Sequence, residues 1–133
     1  MKRHLAALGV ALAIAAGGCS EAASPASVIL SAQLANAGAT DRAMLVEIVG
    51  ADTSAHIDSV LAPAGSSYRL FTHRLSATQW RAIVTGSVSN GALLRLAVPR
   101  SSRASAYTAA ILDVADASFA TVAPGSRAVT IAP

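Results

Sequence analysis

Ser89-Asn90-Gly91-Ala92-Leu93-Leu94-Arg95-Leu96-Ala97-Val98-Pro99 is the stretch whose reading decides the fold. Asn-Gly marks a turn, because both residues tolerate the left-handed backbone region. The apolar run Leu93 to Val98 is too short for an amphipathic helix, and Pro99 ends it by withholding a backbone donor. Inside the run, Arg95 is the residue that breaks the series Leu94, Leu96, Val98. A period of two therefore sends the guanidinium outward and the three apolar side chains inward. The stretch is a half-buried strand held between two turns.

The same grammar runs in both directions from it. Val28 to Leu34 is a strand closed by Asn36-Ala37-Gly38, and Ala43 to Val49 is a second, broken by Gly50-Ala51-Asp52. Ile57 to Leu61 is a weaker strand ending at Pro63. Tyr68 to Leu75 and Gln79 to Thr85 form a hairpin over a short Ser/Ala/Thr loop. Tyr107 to Val114 and Ala128 to Ile131 complete the set, with a short piece at Phe119 to Val122. Alanine fills 32 of 133 positions, yet the runs are too brief and too often punctuated for helices. Val, Ile, Thr and the aromatics gather inside the runs, which favours strand. The expectation is an all-β chain, with seven or eight short antiparallel strands in one immunoglobulin-like or jelly-roll β-sandwich over residues 27–133. With so many small side chains the core is thin, so the large aromatics are expected to be used in packing.

The N-terminus has a different character. Lys2 and Arg3 precede an uncharged apolar run, Leu5 to Ala16, the length of a signal-peptide core and short for a membrane span. Ala16-Gly17-Gly18 then supplies small residues directly before Cys19, the single cysteine of the chain. These positions resemble a bacterial lipoprotein signal, although leucine is commonest where Ala16 stands. The resemblance implies a leader helix over 1–18, cleavage after Gly18, and lipidation of Cys19 as a membrane anchor. Several acyl chains on one residue hold a protein stably, since each buried methylene contributes about 0.8 kcal/mol. Residues 19–26 would be the lipidated cysteine and a tether reaching about 25 Å when extended. Ser20 after the cysteine, where aspartate would retain a lipoprotein at the inner membrane, implies the outer membrane if the cell is Gram-negative.

Loss of the leader changes the charge. The chain carries 10 Lys and Arg against 7 acids; without Lys2 and Arg3 it keeps 8 arginines and all 7 acids, close to neutral. Nucleic-acid binding therefore has no basic surplus to stand on.

The stretches Gly91 to Val98, Tyr107-Thr-Ala-Ala-Ile-Leu-Asp-Val-Ala-Asp116 and Ala128-Val-Thr-Ile131 resemble the C-terminal half of cohesin-like domains. Ala43 to Val49 and Ile57 to Leu61 are similar to that family's early strands, so the likeness spans about 90 residues. It implies a jelly-roll-like sandwich that binds another molecule without catalysis. Cohesins bind dockerin modules of cellulosomes, but no residue set here carries over to a dockerin-binding face.

Candidate site residues are sparse. His56 and His73 are isolated and fall short of the three or four ligands zinc takes, so no metal or cofactor is expected. Asp113 and Asp116, with Asp52 and Asp58, could supply oxygens to calcium, but aspartate also shapes turns. Ser87-Val88-Ser89-Asn90-Gly91 lacks the first glycine of a nucleophile elbow, and no histidine follows it. Trp80, Tyr68, Phe71 and Tyr107 could stack on sugar rings. Alternation, however, puts Trp80 with Ala82 and Val84 on a core face, opposite Arg81, Ile83 and Thr85. The arginines are the most suggestive group, with Arg69, Arg74, Arg81 and Arg95 on strands and Arg100 and Arg103 in the loop after Pro99. Arg81 and Arg95, with Arg100 and Arg103, are the expected binding surface, since guanidinium recognises carboxylate or phosphate in two-pronged fashion. The plainer alternative is a solvated face on which Glu47 pairs with an arginine. The function expected is a lipid-anchored cell-envelope lipoprotein whose non-catalytic module binds an envelope protein or glycan. The alternative is a structural spacer or assembly subunit without a ligand.

Overall fold

The computed structural model describes residues 27–133. The leader, the Ala16-Gly17-Gly18 cleavage positions, Cys19 and the tether to residue 26 lie outside the described residues. The described chain forms nine strands and one short 3-10 turn, Ala104–Ala106. The strands are β1 (Ser27–Ala35), β2 (Asp41–Gly50), β3 (Ser59–Leu61), β4 (Arg69–Arg74), β5 (Gln79–Thr85), β6 (Gly91–Pro99), β7 (Tyr107–Asp116), β8 (Thr121–Val122) and β9 (Ala128–Ala132). They make an antiparallel two-sheet sandwich, as expected, with nine strands rather than seven or eight, because the short piece expected at Phe119 to Val122 pairs as a strand at Thr121–Val122. One sheet has the order β3-β6-β1-β9 and the other β4-β5-β2-β7-β8. Only the β4–β5 and β7–β8 connections stay within a sheet; every other connection crosses between them.

Alternation selects the core. Leu30, Ala32 and Leu34 of β1 face Met44, Val46 and Ile48 of β2, with Ala82 and Val84 of β5 and Leu94, Leu96 and Val98 of β6. Period two is broken once on β6. Ala32 pairs with Leu94 but Gln33 with Ala92, so Leu93 is an extra residue on its strand. Such a bulge turns successive side chains to the same side, and Leu93 and Leu94 are both fully buried. Arg95 remains on the outer side, as alternation from Leu94 requires.

One end of the sandwich is closed by the loop between β2 and β3. Ala55 and Ile57 are buried there, and a side chain at Gly50 would collide with the Ala55 carbonyl. Tyr107, at the start of β7, is buried and its hydroxyl donates to the His56 carbonyl at 2.7 Å.

The other end depends on a charge pair. Asp41, at the start of β2, is completely buried, and Arg127 in the turn before β9 grips it with both prongs. Nε donates to Oδ2 at 2.7 Å and Nη2 to Oδ1 at 2.8 Å. The carboxylate also accepts the Gly38 N–H at 2.8 Å, and Arg127 Nη1 donates to the Ala123 and Pro124 carbonyls. Gly38 is required for space: a Cβ there would lie 2.5 Å from Arg127 Nη2 and 2.7 Å from Asp41 Oδ1. Asn90 joins the same end by accepting the Ala37 N–H at 2.7 Å. The Arg127 hydrogen bonds hold the Asp41 carboxyl below its usual range, assisted by Gly38 and opposed by burial.

Removing Arg127 strands a fully buried carboxylate, so Arg127→Ala should cost about 3–5 kcal/mol in denaturant unfolding, whereas Asp41→Asn leaves a partly exposed guanidinium and should cost less, about 1–3 kcal/mol. Gly38→Ala, which crowds the pair, should cost about 1–3 kcal/mol. Because the folded pKa of Asp41 is depressed, its contribution is complete above the unfolded value near 4 and is lost as pH falls through the lower folded value. Asp52 and Asp116, lowered by their bonds from Ser54 and Ser118, act in the same direction. Stability should thus be level above about pH 5 and decline below about pH 4, with a shallower decline in Asp41→Asn.

Candidate interaction surface

On the five-stranded sheet, the residues pointing away from the core align in rows across four strands. One row is Phe71, Ile83, Leu45 and Asp113 on β4, β5, β2 and β7. On one side of it lies Arg69, Thr85, Ala43 and Ala115, and on the other His73, Arg81, Glu47 and Ala110. A second bulge, where the β2–β7 pairing shifts at Leu45/Val46, leaves Leu112 unpaired beside the apolar row. Phe71 is 59% exposed, and Ile83 and Leu112 each 42%. An apolar stripe bordered by arginine, histidine and glutamate therefore crosses an open sheet face.

Arg81 meets Glu47 through Nε and Oε2 at 2.9 Å, the partner expected on a solvated face. The pair is exposed and worth at most about 1 kcal/mol, so Arg81 remains available to a ligand at little cost.

The four expected arginines do not form one surface. Arg81 is on the outer side of the five-stranded sheet, whereas Arg95 belongs to β6 in the four-stranded sheet, on the opposite side of the sandwich. Alternation assigns an outward direction on each strand but not which sheet a strand joins. Arg95 Nε donates to the Ala62 carbonyl at 3.0 Å and so fastens the chain after β3 across its own sheet. Arg100 and Arg103 are exposed in the β6–β7 connection, beside a groove of about 460 Å³ lined also by Val28, Leu30, Ser102 and Pro133. That groove lies at the end where β1 begins, since Ser27 pairs with Pro99.

The remaining candidates are dispersed. His56 is in the β2–β3 loop at one end and His73 on the outer face of β4, opposite Arg81. Asp52 and Asp116 stand at opposite ends of the β2–β7 ladder, and each organises a turn. Asp52 Oδ1 accepts from Ser54 and Ala55, and Asp116 Oδ1 from Ser118 and Ala120. Among the described residues no three His, Cys, Asp or Glu side chains gather as a metal would require. The Ser87-Val88-Ser89 loop lies at the Asp41 end, away from His56; Val88 is buried and the Ser89 N–H donates to the Tyr68 hydroxyl at 3.2 Å. Trp80 is half-buried against the core beside Ala82 and Val84, as alternation requires, and Tyr107 is buried outright.

Two phenylalanines correct the expectation that aromatics are used in packing. Phe71 belongs to the apolar row. Phe119 is 91% exposed at the tip of the β7–β8 turn, with φ of 62°. Its N–H donates to the Asp116 carbonyl at 3.0 Å, and the Asp116 N–H reaches the Ala120 carbonyl at 3.0 Å. The turn therefore holds a bulky residue in the left-handed region that suits glycine.

Phe119→Gly should raise stability by about 1 kcal/mol, measured by denaturant unfolding, because it relieves a conformation that costs L-residues about 1–2 kcal/mol. Arg81→Ala should change it by less than about 1 kcal/mol. Compared with known proteins, the chain matches no family model, no curated protein and no solved structure.

Proposed function

We propose that this protein is a membrane-anchored, extracytoplasmic lipoprotein whose β-sandwich is a non-catalytic binding module, of the kind the cohesin-like resemblance implies. The observation that carries the binding reading is the row Phe71, Ile83, Leu45 on the open face of the five-stranded sheet. A spacer needs only a polar outer surface, and alternation would have satisfied it with serine or threonine at these positions. Large exposed apolar groups beside arginines are what an interface anchors on, because they gain buried area while the charges set orientation.

The anchor reading rests on Ala16-Gly17-Gly18-Cys19. It places the protein in the cell envelope, held by lipid on Cys19, with the outer membrane favoured in a Gram-negative cell. In this reading the partner is an envelope protein or glycan, and neither nucleic acid nor a cofactor is involved.

Cys19→Ala should move the protein from the membrane to the soluble fraction; retention in the membrane with normal processing would defeat the anchor. For the module, the full chain solubilised from membranes should capture an envelope component reproducibly, and Phe71→Ser with Ile83→Ser should abolish the capture. Capture that is absent, or unchanged by the double substitution, would favour the spacer.

A further inference from the structure

The five-stranded sheet ends on β4, and that edge has an unusual charge environment. Between Asp58 and Asp113 the chain has no acidic residue but holds six arginines: Arg69, Arg74, Arg81, Arg95, Arg100 and Arg103. On this sheet the tract supplies β4 and β5 with Arg69, Arg74 and Arg81, the other three arginines lying on β6 or in the loop after it, so acids reach this side only from other strands, as Glu47 does toward Arg81. On β4 itself, Arg69 and Arg74 flank Phe71 and His73, and all four are exposed. Among the described residues the salt bridges are Arg81–Glu47 and Arg127–Asp41, so neither Arg69 nor Arg74 has a carboxylate partner.

The hydrogen-bond phase of the hairpin shows what this edge offers. The Leu75 N–H donates to the Gln79 carbonyl at 2.9 Å. Hydrogen-bonded pairs alternate along an antiparallel ladder, so His73–Arg81 and Phe71–Ile83 are the pairs that bond β4 to β5. The N–H and C=O groups of Leu70, Thr72 and Arg74 consequently point away from the sheet. The other outer strands are β3, β8 and β9, of three, two and five residues, while β4 has six. Charge alone would serve to keep a second copy off this edge, because self-pairing would bring the Arg69 and Arg74 charges of two chains onto one short seam. The same charges attract a strand of opposite sign.

We propose that β4 is a docking edge onto which an acidic, extended protein segment adds as a further antiparallel or parallel strand. The segment's backbone bonds to Leu70, Thr72 and Arg74, and its apolar side chains extend the Phe71–Ile83 row; its carboxylates, on the other face, meet Arg74, while the Arg69 charge on the outer face adds longer-range attraction. The proposal rests on the binding-module reading and names the chemistry of its partner.

The test uses the full chain in detergent micelles and a fluorescent decapeptide of alternating glutamate and valine. The peptide should bind with a salt-sensitive affinity and should protect the amides of Leu70, Thr72 and Arg74 from hydrogen exchange. Arg69→Glu with Arg74→Glu should weaken binding at least about tenfold and favour a lysine–valine peptide instead. Thr72→Pro removes an outward donor without touching the ladder to β5, so it too should weaken binding about tenfold with the fold intact. Should that variant unfold, a backbone N-methylated peptide tested on the unaltered protein makes the same cut from the other side. No binding of the glutamate–valine peptide overturns the proposal. So does binding that the N-methylated peptide and polygalacturonate match, which would show a plain cationic surface. If the peptide fails while Phe71→Ser with Ile83→Ser still abolishes capture of an envelope component, the edge proposal falls and the binding module stands. If both fail, the module reading falls as well.

Discussion

The buried pair of Asp41 and Arg127 is the constraint on which one end of the sandwich is organised. It joins the first residue of β2, in the five-stranded sheet, to the turn that delivers β9 to the four-stranded sheet. A carboxylate with no exposure is tolerable because its two oxygens receive the guanidinium in two-pronged fashion and a backbone N–H besides. The space it occupies exists because residue 38 is glycine. Around it, Asn36 donates to the Ser126 carbonyl and Asn90 accepts the Ala37 N–H, so three loops share one polar knot. The opposite end is closed by apolar means, with Ile57 and Ala55 inserted and Tyr107 bonded to the loop that carries them.

Between these two ends the core is made of small and branched side chains. Alanine at positions 32 and 82 lets the sheets approach, and the larger volumes come from Met44, Ile48 and the leucines of β6. Such a core has little room for aromatic rings. Trp80 packs at its margin and Tyr107 at its end, while Phe71 and Phe119 stand outside. Exposed rings on a protein with few aromatics are therefore informative, and Phe71 is the one that sits within a larger apolar row.

The face and the edge of the five-stranded sheet act together in the binding reading. The face offers apolar area across β4, β5 and β2, and β4 offers unpaired backbone groups with arginines at both ends. Arg100 and Arg103 lie instead at the end where β1 begins.

Strand positions were legible in the sequence because they depend on local rules: alternation, turn residues and the stops at Pro63 and Pro99. Facing was legible wherever alternation held, as for Trp80, Arg81 and Arg95. It failed at Leu93, because a bulge depends on the register with β1, which nothing within β6 specifies. The grouping of arginines was equally invisible, since Arg81 and Arg95 both point outward but on sheets that face apart. Asp41 and Arg127 are 86 residues apart and carry no motif, so their pairing had no local signature. Local chemistry thus determined the class of fold, the strands and their inward faces. Tertiary structure decided which strands adjoin, hence which outward residues form a surface, because sheet partnership is set by long-range packing of faces that look alike in sequence.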